Sequence, residues 1–241
     1  MSNSKLVTYT RKSPNYSSRN GKKIKKITIH HAAGKLTVKQ IGAVFAPVSR
    51  QASSNYGVDN NGDVGLYVDE KYRAWTSSNR ANDEEAVTIE VANCGGGPNW
   101  PVSDKALEKT IDLCVDICER NDIDRLNYNG KKSGTLTRHN MFAATACPGP
   151  YLQSKFPYIE EEVNRRLAEK DAKKSPEKSF LVKVKVKSLN IRTGPGVKYK
   201  KVGKITDKGA YTIVKTSGSW GKLKSGKGWI HIGSKYCTRV K

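Results

Sequence analysis

The strongest constraint on this 241-residue chain is that side chains able to ligate a metal must be gathered from distant parts of it. The stretch Thr135 to Tyr151, TLTRHNMFAATACPGPY, carries His139 and Cys147 eight positions apart. More than a hundred residues earlier, ITIHH at Ile27 to His31 ends an apolar strand on two imidazoles. A self-contained zinc ribbon needs two close ligand pairs, and this spacing excludes it. Three nitrogen or sulfur donors with a fourth position left to water are the usual set of a catalytic zinc, and that water is a nucleophile. The pattern therefore predicts a folded hydrolase domain with one zinc per chain. His30 and His31 are neighbours on a strand and point to opposite faces, so only one joins a given metal, and alternation alone does not choose between them.

Periodicity supplies the scaffold. Residues 1 to about 23 are polar and read as an extended arm. Lys25 to His31 reads as a strand, and Thr37-Val38-Lys39-Gln40 as a capping box opening a short helix through Val38, Ile41 and Phe45 that ends near Pro47. Ser53 to Val58 and Val64 to Val68 are predicted strands joined through Asp59-Asn60-Asn61-Gly62-Asp63. Val87 to Ala92 is another strand, followed by the loop CGGGPNWP. Ser103 is placed to cap a long helix whose buried stripe is Leu107, Ile111, Cys114 and Cys118. Thr135 to Arg138 forms a short strand, Asn140 to Thr145 a turn, and Ile159, Val163 and Leu167 the face of a closing helix. The expectation for residues 1–168 is an α/β domain with a mixed central sheet flanked by helices. Residues 169–178 are charged, contain Pro and read as a linker. From 179 to 241, short alternating runs between Gly-rich turns predict a small all-β barrel.

Charge separates the two parts. The chain carries a formal +22, and from Ser179 onward sixteen Lys or Arg face one acid, Asp207, a net +15. Such a field calls for a polyanionic partner. Nucleic acid and the anionic bacterial envelope both satisfy it, but no recognisable nucleic-acid-binding motif is present. Five cysteines without a close pair argue against a disulfide framework, and Cys114 and Cys118 read as small core residues. The basic N-terminus has no apolar run behind it, so neither a signal peptide nor a membrane span is expected, and synthesis in the cytoplasm is.

An apolar strand ending in His, then SNYGVDNNGDV (Ser54 to Val64), RAW (Arg73 to Trp75), TIEVAN (Thr88 to Asn93) and TRHNMFAATACPGPYL together resemble the zinc-dependent N-acetylmuramoyl-L-alanine amidases. The resemblance runs from about Lys22 to Leu152. It implies that His30, rather than His31, joins His139 and Cys147 on zinc. It further implies that Glu90 is the general base and that Thr145 stabilises the oxyanion. Trp75, Thr76 and Asn79 fall on the stretch the family uses along its substrate groove. Where some relatives place a Tyr this chain has Ser54, with Tyr56 two residues on along the same face; Tyr56 is carried over as a substrate contact, and the catalytic weight shifts to Glu90. LNIRTGPGVKYKKVGKI followed by GSWGKLKSGKGWIHI resembles the bacterial SH3-like domains of wall hydrolases, which implies a wall-binding surface built from Tyr199, Tyr211, Trp220 and Trp229. The function so implied is cleavage of the bond between N-acetylmuramic acid and L-alanine in peptidoglycan, by a phage or prophage endolysin of a Gram-positive host. A host autolysin of the same chemistry and a non-catalytic peptidoglycan-binding protein are the alternatives, and the retained Cys147 argues against the second.

Overall fold

The computed structural model describes residues 2–174 and 179–240, which divide into two compact units, 1–168 and 169–241. In the first unit the order is β1 (Tyr9–Thr10), β2 (Tyr16–Ser18), β3 (Lys26–His31), α1 (Val38–Phe45), β4 (Tyr56–Val58), β5 (Val64–Leu66), β6 (Tyr72–Ala74), α2 (Arg80–Glu85), β7 (Ala86–Val91), α3 (Asp104–Arg120), β8 (Leu136–Arg138), α4 (Pro150–Ser154) and α5 (Phe156–Lys174). Six strands form one mixed sheet in the order β1-β5-β4-β7-β3-β8, antiparallel only between β4 and β5, while β2 and β6 pair separately.

The pairing register assigns each strand residue to a face. Thr28, His30, Thr88, Glu90, Thr137, Gly57 and Gly65 align across the sheet, and Ile27, Ile29, Val87, Ile89, Val91, Leu136 and Tyr56 align on the other side. The second set is apolar and is buried in one cluster with Leu107, Ile111, Cys114 and Cys118 of α3 and with Ile159, Val163 and Leu167 of α5. Burial of this face orients the sheet, and the polar face is left for chemistry.

Local signals explain the helix positions. The Thr37 side chain accepts the Gln40 N–H while the Gln40 side chain accepts the Thr37 N–H, so the capping box forms. Ser103 accepts from Ala106 at the start of α3. The β4 strand begins only at Tyr56, because Ser53 and Asn55 turn their side chains to backbone groups at Asn15, Trp75, Val68 and Thr88. The predicted linker starts as helix: α5 continues to Lys174, since AEKDAKK is made largely of strong helix formers. Residues 175–178 lie outside the described residues.

Tyr67 joins the polar face of the sheet to α1. Its ring lies over the two glycines that share Glu90's row, and its hydroxyl donates to the Val38 carbonyl at 2.8 Å. A Cβ on Gly57 would meet the Tyr67 oxygen at 2.7 Å, and one on Gly65 would overlap it still further. Gly65→Ala is therefore expected to lower stability by about 2 kcal/mol or more, as overpacking typically does. Gly96→Ala, where a Cβ meets nothing within 4 Å, is the matched control, and thermal unfolding of the two variants measures the difference.

The second unit contains β9 (Phe180–Val184), β10 (Leu189–Arg192), β11 (Lys201–Ile205), β12 (Ala210–Ser217), β13 (Trp220–Leu223), β14 (Trp229–His231) and β15 (Cys237–Val240). They form one antiparallel seven-stranded sheet in the order β11-β10-β14-β13-β12-β9-β15 over a core that includes Val182, Ile191, Ile213, Leu223, Ile230 and Cys237. The end strands β11 and β15 do not pair with each other among the described residues, so the sheet is not the closed barrel the alternation suggested. Short alternating runs are equally the pattern of a twisted open sheet.

Candidate metal centre and its cavity

The parallel strands β3, β7 and β8 end together, and the candidate residues sit at or just beyond their carboxyl ends, where open α/β sheets place ligands. His30 is the residue before the last of β3, Glu90 lies opposite it on β7, and His139 follows β8 directly. The loop after His139 returns Cys147 to the same point, with the Asn140 N–H donating to the Cys147 carbonyl at 3.1 Å. Gly149, at φ +82°, then turns the chain against His31, where a Cβ would meet His31 Nδ1 at 3.3 Å and Trp100 Cβ at 3.0 Å. Any side chain at this position is strained by both backbone and neighbours.

His30, His139 and Cys147 each present one ligand atom, and these atoms lie within 4.8 Å of one another. His30 Nδ1 is 3.7 Å from Cys147 Sγ, and the two imidazole centroids are 4.6 Å apart. The pairing separates the adjacent histidines: His30 shares the polar face with Glu90, whereas His31 aligns with Val91, packs edge-on against Trp100 and lends the cluster its backbone N–H, which donates to Cys147 Sγ at 3.4 Å.

The residues fit a metal. His30 Nε2, His139 Nε2 and Glu90 Oε2 are buried with no hydrogen-bond partner, and such orphaned groups in a native fold need an explanation. Burial, reinforced by His139 and then His31, holds the His30 imidazolium well below the usual range, and burial lowers His139 as well, so both rings are neutral bases ready to ligate. Burial pushes the Cys147 thiol up, followed by the charge of Glu90. A cation at this point would reverse that preference and stabilise the thiolate.

Burial also pushes Glu90 up to about 8, opposed by the charge of Arg50. Its proton is thus held more tightly folded than unfolded, and the stabilisation is full below the ordinary value of 4.5 and lost as pH rises through about 8. In metal-free protein, Glu90→Gln is expected to unfold at higher temperature than the parent at pH 8 and at the same temperature at pH 4. The gain is roughly 2 kcal/mol, below the full shift because the side chain is partly open to the cavity. Paired thermal melts in chelator at the two pH values measure it.

A cavity of about 310 Å³ opens over the cluster, lined by Glu90, His139, Thr145 and Cys147, by Arg50, and by an apolar wall that includes Leu36, Ile41, Val44 and Phe45. Thr145 accepts the Cys147 N–H at 3.2 Å, which leaves its O–H to donate into the cavity. Arg50 and the α1 wall carry no local sequence signal and were not among the expected site residues.

Tyr56 is corrected. It aligns with Ile89 on the apolar face, opposite to Glu90, and is completely buried. Its hydroxyl donates to Glu70 at 2.6 Å and accepts the Ser4 N–H, so it cannot touch substrate. Trp75, Thr76 and Asn79 line a separate cleft of about 290 Å³ with Gln51, Arg73 and Asp83. Asn79 caps α2, the Thr76 hydroxyl bonds the Ser53 carbonyl at 2.7 Å, and the Trp75 indole N–H donates to Ser17.

In the second unit Trp220 and Trp229 share the outer face of β13 and β14 with Lys222 and His231, and the Trp220 and His231 rings meet edge-on at 5.2 Å. Tyr211 is not on that face. It pairs with Val182, packs against the core and gives its hydroxyl to Asp207. Tyr199 stands partly exposed beyond β10 and covers Gly194, with the Lys198 ammonium 5.6 Å from its ring centroid.

The mixed-sheet fold is shared with solved structures. The Staphylococcus aureus hydrolase AmiA in complex with its ligand aligns with a TM-score of 0.53 at 16% identity, over 72% of this chain and 88% of that one. An AmpD derivative aligns at 0.51 and 17%, over 66% and 99%, and a mutant endolysin from Bacillus subtilis at 0.51 and 15%, over 65% and 99%. No curated protein matches the chain. The family model for N-acetylmuramoyl-L-alanine amidase matches residues 20–150, more than half of the sequence, and the chain belongs to that family.

Proposed function

We propose that this protein hydrolyses the amide between the lactyl group of N-acetylmuramic acid and the first L-alanine of the peptidoglycan stem, using one zinc ion held by His30, His139 and Cys147. The observation that carries this reading is the convergence of three ligand atoms within 4.8 Å beside a buried, unpartnered carboxylate in a member of the amidase family. Bound zinc would bring the pKa of a water toward neutrality and polarise the scissile carbonyl. Glu90 then accepts the water's proton and returns it to the leaving amine, a role suited to a carboxyl pushed toward neutral pH. Thr145 donates its O–H to the carbonyl oxygen as negative charge develops there. The test is mass spectrometry of digested peptidoglycan. New amino groups on L-alanine support the reading, and new reducing sugar ends with intact stems overturn it.

The second unit is the wall-targeting part in this proposal, SH3-like in its sequence motifs, and the biological setting is an endolysin, with an autolysin of the same chemistry as the alternative. Among the described residues no helix is long and apolar enough to cross a membrane. Support for targeting comes from the net +15 and from the Trp220, Trp229, Lys222 and His231 face. The fragment from Ser179 onward is expected to pull down with intact walls by itself. Screening of exposed charges acts within about 8 Å at physiological salt, so a purely ionic contact collapses as salt is added while an aromatic one persists. Retention that survives high salt and depends on Trp220 and Trp229 identifies the aromatic face as the binding surface.

A further inference from the structure

Arg50 ends the short turn Val48–Arg50 that follows α1, is exposed, and lines the same cavity as Glu90, His139, Thr145 and Cys147. The side chain makes no hydrogen bond or ion pair with any described residue, and it is the one permanently charged cation among the residues that line the cavity. The rest of the lining includes Leu36, Ile41, Val44 and Phe45, which are apolar and suit methyl groups. A free guanidinium beside a reaction centre is a fork that matches a carboxylate and no neutral group equally well.

The substrate class of the proposed reaction contains one such group near the scissile bond. The lactyl group and L-alanine bring methyls and amides. The next residue, D-glutamate linked through its γ-carboxyl, brings an α-carboxylate that is free in some peptidoglycans and a carboxamide in others. Resting on the amidase reading, we propose that Arg50 is a specificity residue that selects stems whose second residue carries the free α-carboxylate over stems in which it is amidated.

The experiment uses the full-length, zinc-loaded protein and two soluble muropeptides, N-acetylmuramoyl-L-Ala-γ-D-Glu-L-Lys-amide and its D-isoglutamine counterpart, which differ only in that carboxylate. The parent should favour the carboxylate form in kcat/KM by about 10- to 100-fold, the range of a charge-assisted hydrogen bond. Arg50→Gln should bring the ratio near one by slowing the carboxylate substrate alone, and Arg50→Glu should invert it. Loss of fold cannot produce an inversion, and unchanged melting temperatures confirm that the exposed turn tolerates both variants. Equal rates in the parent, or a ratio unchanged in the variants, overturn the assignment. Failure to cut either muropeptide overturns it too, and whole peptidoglycan digested in parallel then shows separately whether the amidase reading stands.

Discussion

Cys147→Ser is expected to lose bound metal and amide hydrolysis together. The sulfur sits 3.7 Å from His30 Nδ1 and takes the His31 N–H at 3.4 Å, so it is fixed in place before any metal arrives. Burial and the charge of Glu90 oppose its ionisation in the free protein, and only a cation in the cluster makes the thiolate the stable form. Serine keeps the size of the side chain and does not ionise under these conditions, which leaves two imidazoles to hold the ion. Changes in the outer partners of metal ligands already cost roughly 10- to 100-fold in affinity, and removal of a ligand should cost at least the upper end of that range. Elemental analysis after dialysis and turnover on solubilised peptidoglycan are the paired readouts. A variant that keeps a full complement of zinc would remove Cys147 from the ligand set.

Glu90→Gln separates chemistry from metal binding. Glutamine preserves the shape of the side chain and its place opposite His30, so zinc content and wall binding are expected to match the parent. Turnover should fall roughly 10²- to 10⁴-fold, the usual contribution of a positioned general base. The substitution also removes a buried carboxylate with an unpartnered oxygen, so the variant should be at least as stable as the parent near pH 8 while it is nearly inactive. Stability and activity moving in opposite directions is the signature of a functional carboxylate. Near-normal turnover would transfer the proton-handling role to another residue.

The scaffold was legible where chemistry is local. The capping box at Thr37, the Ser103 cap and the stripe Leu107, Ile111, Cys114 and Cys118 all depend on neighbours within a turn or two of helix, and each forms as read. The helix Arg80–Glu85 was not legible. Its Asn79 cap lies inside a stretch read as substrate groove, and the helix has only six residues to show a period. The continuation of α5 to Lys174 escaped for a related reason, because AEKDAKK offers no apolar stripe for periodicity to detect.

By itself the sequence determined the donor types, the eight-residue step from His139 to Cys147, the order of the main strands and helices of the first unit, and the concentration of positive charge beyond Ser179. Only the tertiary structure decided which face of each strand carries the chemistry. An alternating strand defines two sets of residues but not which set is covered, and a single packing event, burial of one face under α3 and α5, settles the question for every strand at once. That event puts His30 and Glu90 on the open face, turns His31 toward Trp100, and encloses Tyr56 against Glu70. The tertiary structure also brings Arg50 to the cavity that holds Glu90, with no hydrogen bond or ion pair among the described residues, a position that no spacing in the chain encodes.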